Sequence, residues 1–387
     1  MTPSLFTPLA SLPLGRSLAL LVLSSLLVAA DWLPDGSTGN SDQLELALAA
    51  ALGASVILMS LADRVDAAAV RAWRNRLILL TITLGVTAIA GEYATRYIFR
   101  DVTTSSNFGG FFSRRWTRAG AVHLNSAGFR GRPYSQAKPA GAYRIAVVGD
   151  SFTYGNGIRQ EDRFSDLLQA ELPSHVEVLN FGQPGANTPE HLALVQRLLP
   201  EIHPDFVLLQ WYINDVEGDT STGRPTFLPL LPFRGLDDWL SINSALYTVM
   251  NMQWAETQVS LGMTVSYPDY LKRRLGDPNS RDSQLDRQRL EDLITLCQRA
   301  GVPVGIVLFP DTAGDMGAKY QFAYLHDRVL GVCAERGLTC MDLRREFSAI
   351  HDHRTLWASI LDHHPSARAN AIAAERLLET FSPTWVK

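Results

Sequence analysis

The chain is short of cysteine and of basic runs, and each shortage removes a class of function. Its 387 residues include three cysteines, Cys297, Cys333 and Cys340, too few and too dispersed for a disulfide scaffold. Cys333 and Cys340 are close enough in sequence to bridge in an oxidising compartment, and two buried free thiols are the equal alternative. No Cys/His spacing resembles a zinc site, so neither a metal nor a cofactor is expected. The net charge is −4 with no long Lys/Arg run, which argues against nucleic acid as a partner. No internal repeat is visible. The length exceeds what one ordinary core holds, so a domain plus something else is expected.

The something else is apolar. Residues 17–33, 44–61 and 77–94 carry little or no charge over the roughly 17 to 25 residues that cross a bilayer as a helix, and they are apolar all round. Three membrane helices within residues 1–99 are predicted, with the lipid bilayer as partner. The loop between the second and third stretches contains Arg64, Arg71, Arg74 and Arg76, whereas the loop after the first has Asp31, Asp35 and Asp42 and no basic residue. The arginine loop therefore faces the cytoplasm, and everything after Ala94 is extracytoplasmic, periplasmic or at the cell surface. Val28, Ala29 and Ala30 before Asp31 also fit a signal-peptide cleavage site, which leaves the later chain on the same side. Glu92 and Arg96, four apart, are read as a helical pair.

Residues 100–142 lose periodicity and fill with Gly, Ser, Arg and aromatics, so they are expected to form a tether that becomes ordered as it joins a domain over 143–387. In that domain apolar runs alternate with amphipathic ones. Strands are predicted at 145–148, 176–179, 206–212, 304–309 and 339–343, with helices at 163–172, 189–199, 283–300, 320–336 and 366–381. Such alternation implies a three-layer α/β/α fold with a parallel sheet and ligands at the carboxyl ends of the strands. An insert over about 217–276, rich in Pro, Trp, Tyr and Met, is read equally as a substrate-shaping lid and as a patch against the bilayer or its helices.

The stretch RIAVVGDSFTYGNG, Arg144–Gly157, delivers Ser151 from an apolar strand onto a sharp turn before a helix, where a nucleophile belongs. Serine needs a histidine to take its proton and a carboxylate to orient that histidine. His364 and Asp362 are the best candidates; His363 competes with His364, and His351 and His353 are read as exposed loop residues. An acyl-transfer oxyanion needs donors, which the Ser151 and Gly185 backbone N–H groups and the Asn214 amide can supply.

These blocks, GDSF at 149–152, NFGQPGANT around Gly185, WYIND at Asn214 and LDHHPSARAN at Asp362 and His364, together resemble the SGNH or GDSL hydrolases over about residues 143–382. The resemblance implies the flavodoxin-like SGNH fold, a Ser151–His364–Asp362 triad and an oxyanion hole of Ser151, Gly185 and Asn214. Two departures stand out. Only His363 separates acid from base, where the family more often keeps two residues, which predicts a different or weaker orientation of the ring; and Tyr212 and Ile213 replace glycines common before the asparagine, which predicts a narrower pocket. The leading expectation is a membrane-anchored serine esterase acting on an acylated glycan or another small or cell-envelope ester. The alternatives are an O-acyltransferase that uses the same triad on a polysaccharide and a non-catalytic glycan-binding or assembly module.

Overall fold

The computed structural model describes residues 68–107, 109–217 and 224–386. They fall into two compact units. One groups the helix Ala68–Ile98 with Phe233–Met250; the other runs from Val102 to Pro232 and from Asn251 onward.

In the first unit the residues predicted as a third membrane helix lie inside Ala68–Ile98. Among the described residues no helix is long and apolar enough to cross a membrane. The stretches at 17–33 and 44–61 lie outside the described residues. The helix turns polar toward its end. Arg96 Nε donates to Glu92 Oε1 at 2.7 Å, the pair the sequence suggested. Glu92 is buried and also accepts from Ser244 Oγ, Ala245 N and Leu246 N at 2.6, 2.9 and 3.0 Å. Its carboxylate thereby satisfies backbone donors that the start of helix Ala245–Ser260 leaves without intrahelical partners.

The second unit is built on five parallel strands: β1 (Tyr143–Gly149), β2 (Val176–Gly182), β3 (Phe206–Trp211), β4 (Val304–Leu308) and β5 (Cys340–Asp342). They lie in the order β2-β1-β3-β4-β5. Ile145, Ala146, Val147 and Val148 are all buried, as are the residues of β3 and β4. A strand apolar on both faces must be covered on both, which the flanking helices Phe164–Glu171, Thr188–Ile202, Arg281–Arg299, Ala323–Arg336 and Ala367–Trp385 do. Each buried Val, Leu, Ile or Phe contributes about 1.5–3 kcal/mol, so the sheet is the main source of stability. The order reverses between β1 and β3, which opens a crevice beyond their carboxyl ends.

A two-stranded antiparallel hairpin, β6 (Trp357–Ser359) and β7 (Asp362–Pro365), follows the sheet. The helices and strands predicted within 143–387 all occur, with ends shifted by a few residues; the hairpin was not anticipated. The insert contains helices Arg234–Asn243, Ala245–Ser260 and Tyr267–Leu275, and its middle belongs to the first unit. Cys333 and Cys340 form a disulfide, with Cα atoms 6.2 Å apart, and Cys297 is a buried free thiol.

Most of the 100–142 stretch folds as part of the second unit. Thr104 and Ser105 are buried, Ser359 Oγ donates to Thr104 O at 2.6 Å, and Ser106 N donates to Leu361 O at 2.7 Å. Arg130 is fully buried; its Nη1 donates to Tyr154 O and Gly155 O at 3.0 and 2.6 Å, and its Nη2 to Ala121 O and Ile158 O at 2.9 and 2.8 Å. Its guanidinium also lies over the rings of Trp116 and Tyr154. One segment thus ties down both the turn after Ser151 and the loop before Asp362. No periodic pattern announces this, because the bonds come from irregular backbone and single side chains.

Candidate active site

β1 ends at Gly149 because nothing larger fits: a Cβ there would lie 2.2 Å from Thr153 Oγ1 and 2.5 Å from Gln210 Oε1. The helix that follows spans only Ser151–Tyr154. Asp150 caps it, Oδ1 accepting from Phe152 N at 2.9 Å, and Gly155, in the left-handed region at φ 78°, ends it. Gln210 of β3 braces the turn from below, its Oε1 accepting from Asp150 N, Thr153 N and Thr153 Oγ1. Ser151 is thereby held at the crevice edge, and its N–H, at the first helical position, has no intrahelical acceptor.

The hairpin brings the partners. Ser151 Oγ is 2.8 Å from His364 Nε2, and His364 Nδ1 is 2.5 Å from Asp362 Oδ1, across 213 residues of sequence. Asp362 is buried and also accepts from His364 N at 3.1 Å. The single-residue spacing does not weaken the orientation the sequence had put in doubt. On an extended strand residues two apart share a face, so β7 presents Asp362 and His364 to the same side. His363 is exposed, its ring 4.3 Å from that of Trp357. His351 is also exposed, and His353 is half-buried.

Burial disfavours a charged His364, but the hydrogen bond it donates to Asp362, that residue's charge and the charge of Asp150 outweigh it and hold the pKa above the ordinary histidine value. Asp150 is fully buried, with Oδ2 lacking a hydrogen-bond partner. Burial, and then the Asp215 carboxylate, push its pKa up to about 6, against the pull of the Phe152 N–H and of His191 and His364.

The loop of Gly185 is bonded both to the end of β1 and to Asn214. Gly185 has φ +80°, which favours glycine, and Gln183 N donates to Gly149 O at 2.9 Å, tying its loop to β1. Asn214 Nδ2 donates to Ala186 O at 3.3 Å, which joins the asparagine to the Gly185 loop and leaves its second N–H for a ligand. Asn214 sits in the 3₁₀ turn Ile213–Val216. Tyr212, where glycine was the expected type, lays its ring 4.1 Å from that of Phe152, itself 5.4 Å from His364.

Sequence reasoning missed His191 and Asp215. Both are fully buried side chains, His191 Nε2 lies 2.8 Å from Asp215 Oδ1, and Asp215 Oδ2 accepts from Tyr212 N at 2.8 Å. Burial works against a charged His191, but Asp215 chiefly, with Asp150 and Glu190, raises its pKa. The pair pins the turn that bears Asn214. Its signal was a histidine on the face that carries Leu194, Val195, Leu198 and Ile202 at helical spacing. Among the described residues no three His, Cys, Asp or Glu side chains are grouped to hold a metal.

A model of the GDSL-like lipase/acylhydrolase family matches residues 147–372. Among solved structures, a lipolytic G-D-S-L family protein from Veillonella parvula DSM 2008 is similar at 16% identity, covering 62% of this chain and 99% of that one with a TM-score of 0.40. An acetyl xylan esterase, AlAXEase, is 16% identical over 61% of this chain and 98% of its own, TM-score 0.39. A G-D-S-L family lipolytic protein from Desulfitobacterium hafniense DCB-2 is 12% identical over 61% and 98%, TM-score 0.37. No curated protein gives a match.

Proposed function

Because the chain belongs to the GDSL-like lipase/acylhydrolase family and is a carboxylic ester hydrolase, we propose that Ser151, His364 and Asp362 perform the hydrolysis through an acyl-enzyme. The observation that carries this reading is the unbroken hydrogen-bonded row from Ser151 Oγ through His364 to Asp362 Oδ1.

His364 Nε2 takes the Ser151 hydroxyl proton as Oγ attacks the ester carbonyl carbon, and Asp362 holds the Nδ1 proton in place and stabilises the imidazolium. The tetrahedral oxyanion is met by the N–H groups of Ser151 and Gly185 and by Asn214 Nδ2, each such donor being worth roughly 3–4 kcal/mol in the transition state. His364 then protonates the departing alcohol. Water attacks the acyl-serine with His364 again taking the proton, and as the acyl C–Oγ bond breaks His364 returns that proton to Ser151 Oγ and the acid leaves. An alcohol in place of water gives acyl transfer by the same steps. A base with a pKa near the working pH is the efficient one, which suits the raised value of His364.

The same reading places the enzyme outside the cytoplasm, anchored by its N-terminal apolar stretches, with acylated glycans or other cell-envelope esters as substrates. Support comes from the arginine-rich loop and the apolar runs of the sequence, from exposed Leu79, Leu80 and Leu84 on the helix Ala68–Ile98, and from the Cys333–Cys340 disulfide, which suits an oxidising compartment. The test is labelling of the full chain by a fluorophosphonate, compared with Ser151→Ala, alongside turnover of short-chain esters and acetylated saccharides with and without a sugar acceptor. Labelling or hydrolysis that survives in Ser151→Ala would overturn the assignment. Protease added to intact spheroplasts should digest the hydrolase domain; full protection would overturn the location.

A further inference from the structure

The two donors assigned to the oxyanion besides Ser151 come from separate loops. Gly185 lies in the loop between β2 and helix Thr188–Ile202, and Asn214 lies in the turn Ile213–Val216 after β3. Their separation is not set by either strand alone; it depends on what crosses from one loop to the other. Among the described residues two side-chain bonds do. Asn214 Nδ2 donates to Ala186 O at 3.3 Å, a long bond that is only partly buried. His191, near the start of the helix, makes the other: its Nε2 lies 2.8 Å from Asp215 Oδ1, and both side chains are closed to solvent.

Both ends of the second bond are anchored. The helix is seated by Leu194, Val195, Leu198 and Ile202, all buried, and its start is closed by Asn187, whose side chain accepts from Glu190 N while Glu190 accepts from Asn187 N. His191 N donates to Asn187 O at 2.9 Å, so the histidine backbone belongs to the turn that ends the Gly185 loop. On the other side, Asp215 Oδ2 accepts from Tyr212 N at 2.8 Å and Asp215 N donates to Tyr212 O at 2.9 Å, which closes the backbone around Asn214. Asp215 adjoins Asn214 in the chain, so a shift of its carboxylate carries the amide with it. A 2.8 Å bond from Nε2–H to a carboxylate, held away from water, is the stronger of the two crossings.

We propose that His191 is a positioning residue for the oxyanion hole: acting through Asp215, it fixes the gap between the Gly185 N–H and the Asn214 amide. This rests on the acyl-enzyme reading, since the donors matter only if an oxyanion forms. Donors aimed in advance at a developing charge stabilise the transition state and add nothing to the binding of the ester. Acylation and deacylation both pass through an oxyanion, so loosening the clamp lowers kcat and kcat/KM together and leaves KM where it was. A buried pair that served stability alone would move the urea midpoint and leave these constants unchanged.

The test is steady-state hydrolysis of p-nitrophenyl acetate by the full chain. His191→Leu removes the donor; Asp215→Asn breaks the clamp from the other side while keeping the shape, because an amide offers one acceptor oxygen to two N–H groups; His191→Gln returns an N–H to Asp215. His191→Leu and Asp215→Asn are each expected to lower kcat about ten- to thirtyfold, less than the roughly hundredfold or more of a deleted oxyanion donor, with KM within about twofold and His191→Gln within about threefold of the parent. In protein that already carries Asn214→Ala, either change should lower kcat by less than about twofold, because the group it positions is gone. Urea unfolding identifies the folded variants, and Asp215→Asn carries the test if His191→Leu does not fold. A kcat loss matched by a rise in KM, the same loss with and without Asn214→Ala, or a glutamine no better than leucine would overturn the proposal. Full kcat in Asn214→Ala would overturn the oxyanion assignment and the clamp with it, whereas an impaired Asn214→Ala beside unimpaired His191→Leu and Asp215→Asn would overturn the clamp alone.

Discussion

Replacing Asp150 with Asn should make the protein more stable above about pH 6 and less suited to its chemistry. Asp150 is fully buried at the end of β1, with one oxygen accepting from Phe152 N and the other unpartnered near a second carboxylate, Asp215. Its pKa stands at about 6 in the fold against 3.8 for the free side chain. The folded state therefore holds the proton more tightly than the unfolded one. Stability falls as pH rises through that interval and levels off above it. About two pKa units at about 1.4 kcal/mol each gives about 3 kcal/mol as the upper limit of the cost at neutral pH, since His191 and His364 titrate alongside. Asn keeps the acceptor for Phe152 N and removes the charge. Urea unfolding of both proteins from about pH 4 to about pH 8 should show the variant ahead by up to about 3 kcal/mol at the alkaline end, with the gap closing toward acid. A gap that is constant or that widens toward acid would refute the reasoning. The charge of Asp150 also helps hold the His364 pKa up, so the acid limb of kcat/KM should move to lower pH in the variant.

Asp362→Asn should lower kcat by about ten-thousand-fold, as the loss of the orienting carboxylate does in other triads, and drop the acid limb of the pH profile as His364 loses its partner; steady-state kinetics across pH check both. Arg130→Gln takes the only donor among the described residues from Ala121 O and Ile158 O and one of two from Tyr154 O and Gly155 O, and should cost about 2 kcal/mol or more by urea denaturation, a cost that a surface arginine would not show. The paired change Cys333→Ser and Cys340→Ser opens a loop of seven-residue separation and should cost roughly 2–3 kcal/mol, matched by adding reductant to the unaltered protein.

The sheet was legible because its strands are continuous apolar runs and its helices repeat at helical spacing, and the two periods leave little doubt about type. Ser151 was legible from the strand-to-turn pattern around Gly149. The pairing of His364 with Asp362 was legible in residue type but not in geometry, because the hairpin that aligns them is formed by two short strands, Trp357–Ser359 and Asp362–Pro365, with no alternation to announce them. His191 and Asp215 were hidden for a different reason: each sits in an otherwise ordinary helix or turn, and only the fold, by setting the turn Ile213–Val216 against helix Thr188–Ile202, makes them partners. The helices of the insert were obscured by its Pro- and aromatic-rich composition, and the matched family segment begins only at residue 147, beyond the bonds made by Thr104, Ser106 and Arg130.

Those upstream bonds decide where the enzyme can be trimmed. A fragment opened at Tyr143 would look whole by its sheet, yet the carbonyls of Tyr154, Gly155 and Ile158 would lose the cation that gathers them, Phe181 would lose its edge-on neighbour Phe129, and the loop leading to the acid would lose both of its anchors. A fragment opened at Val102 keeps every one of them, so the smallest excisable catalyst starts about forty residues ahead of its first strand.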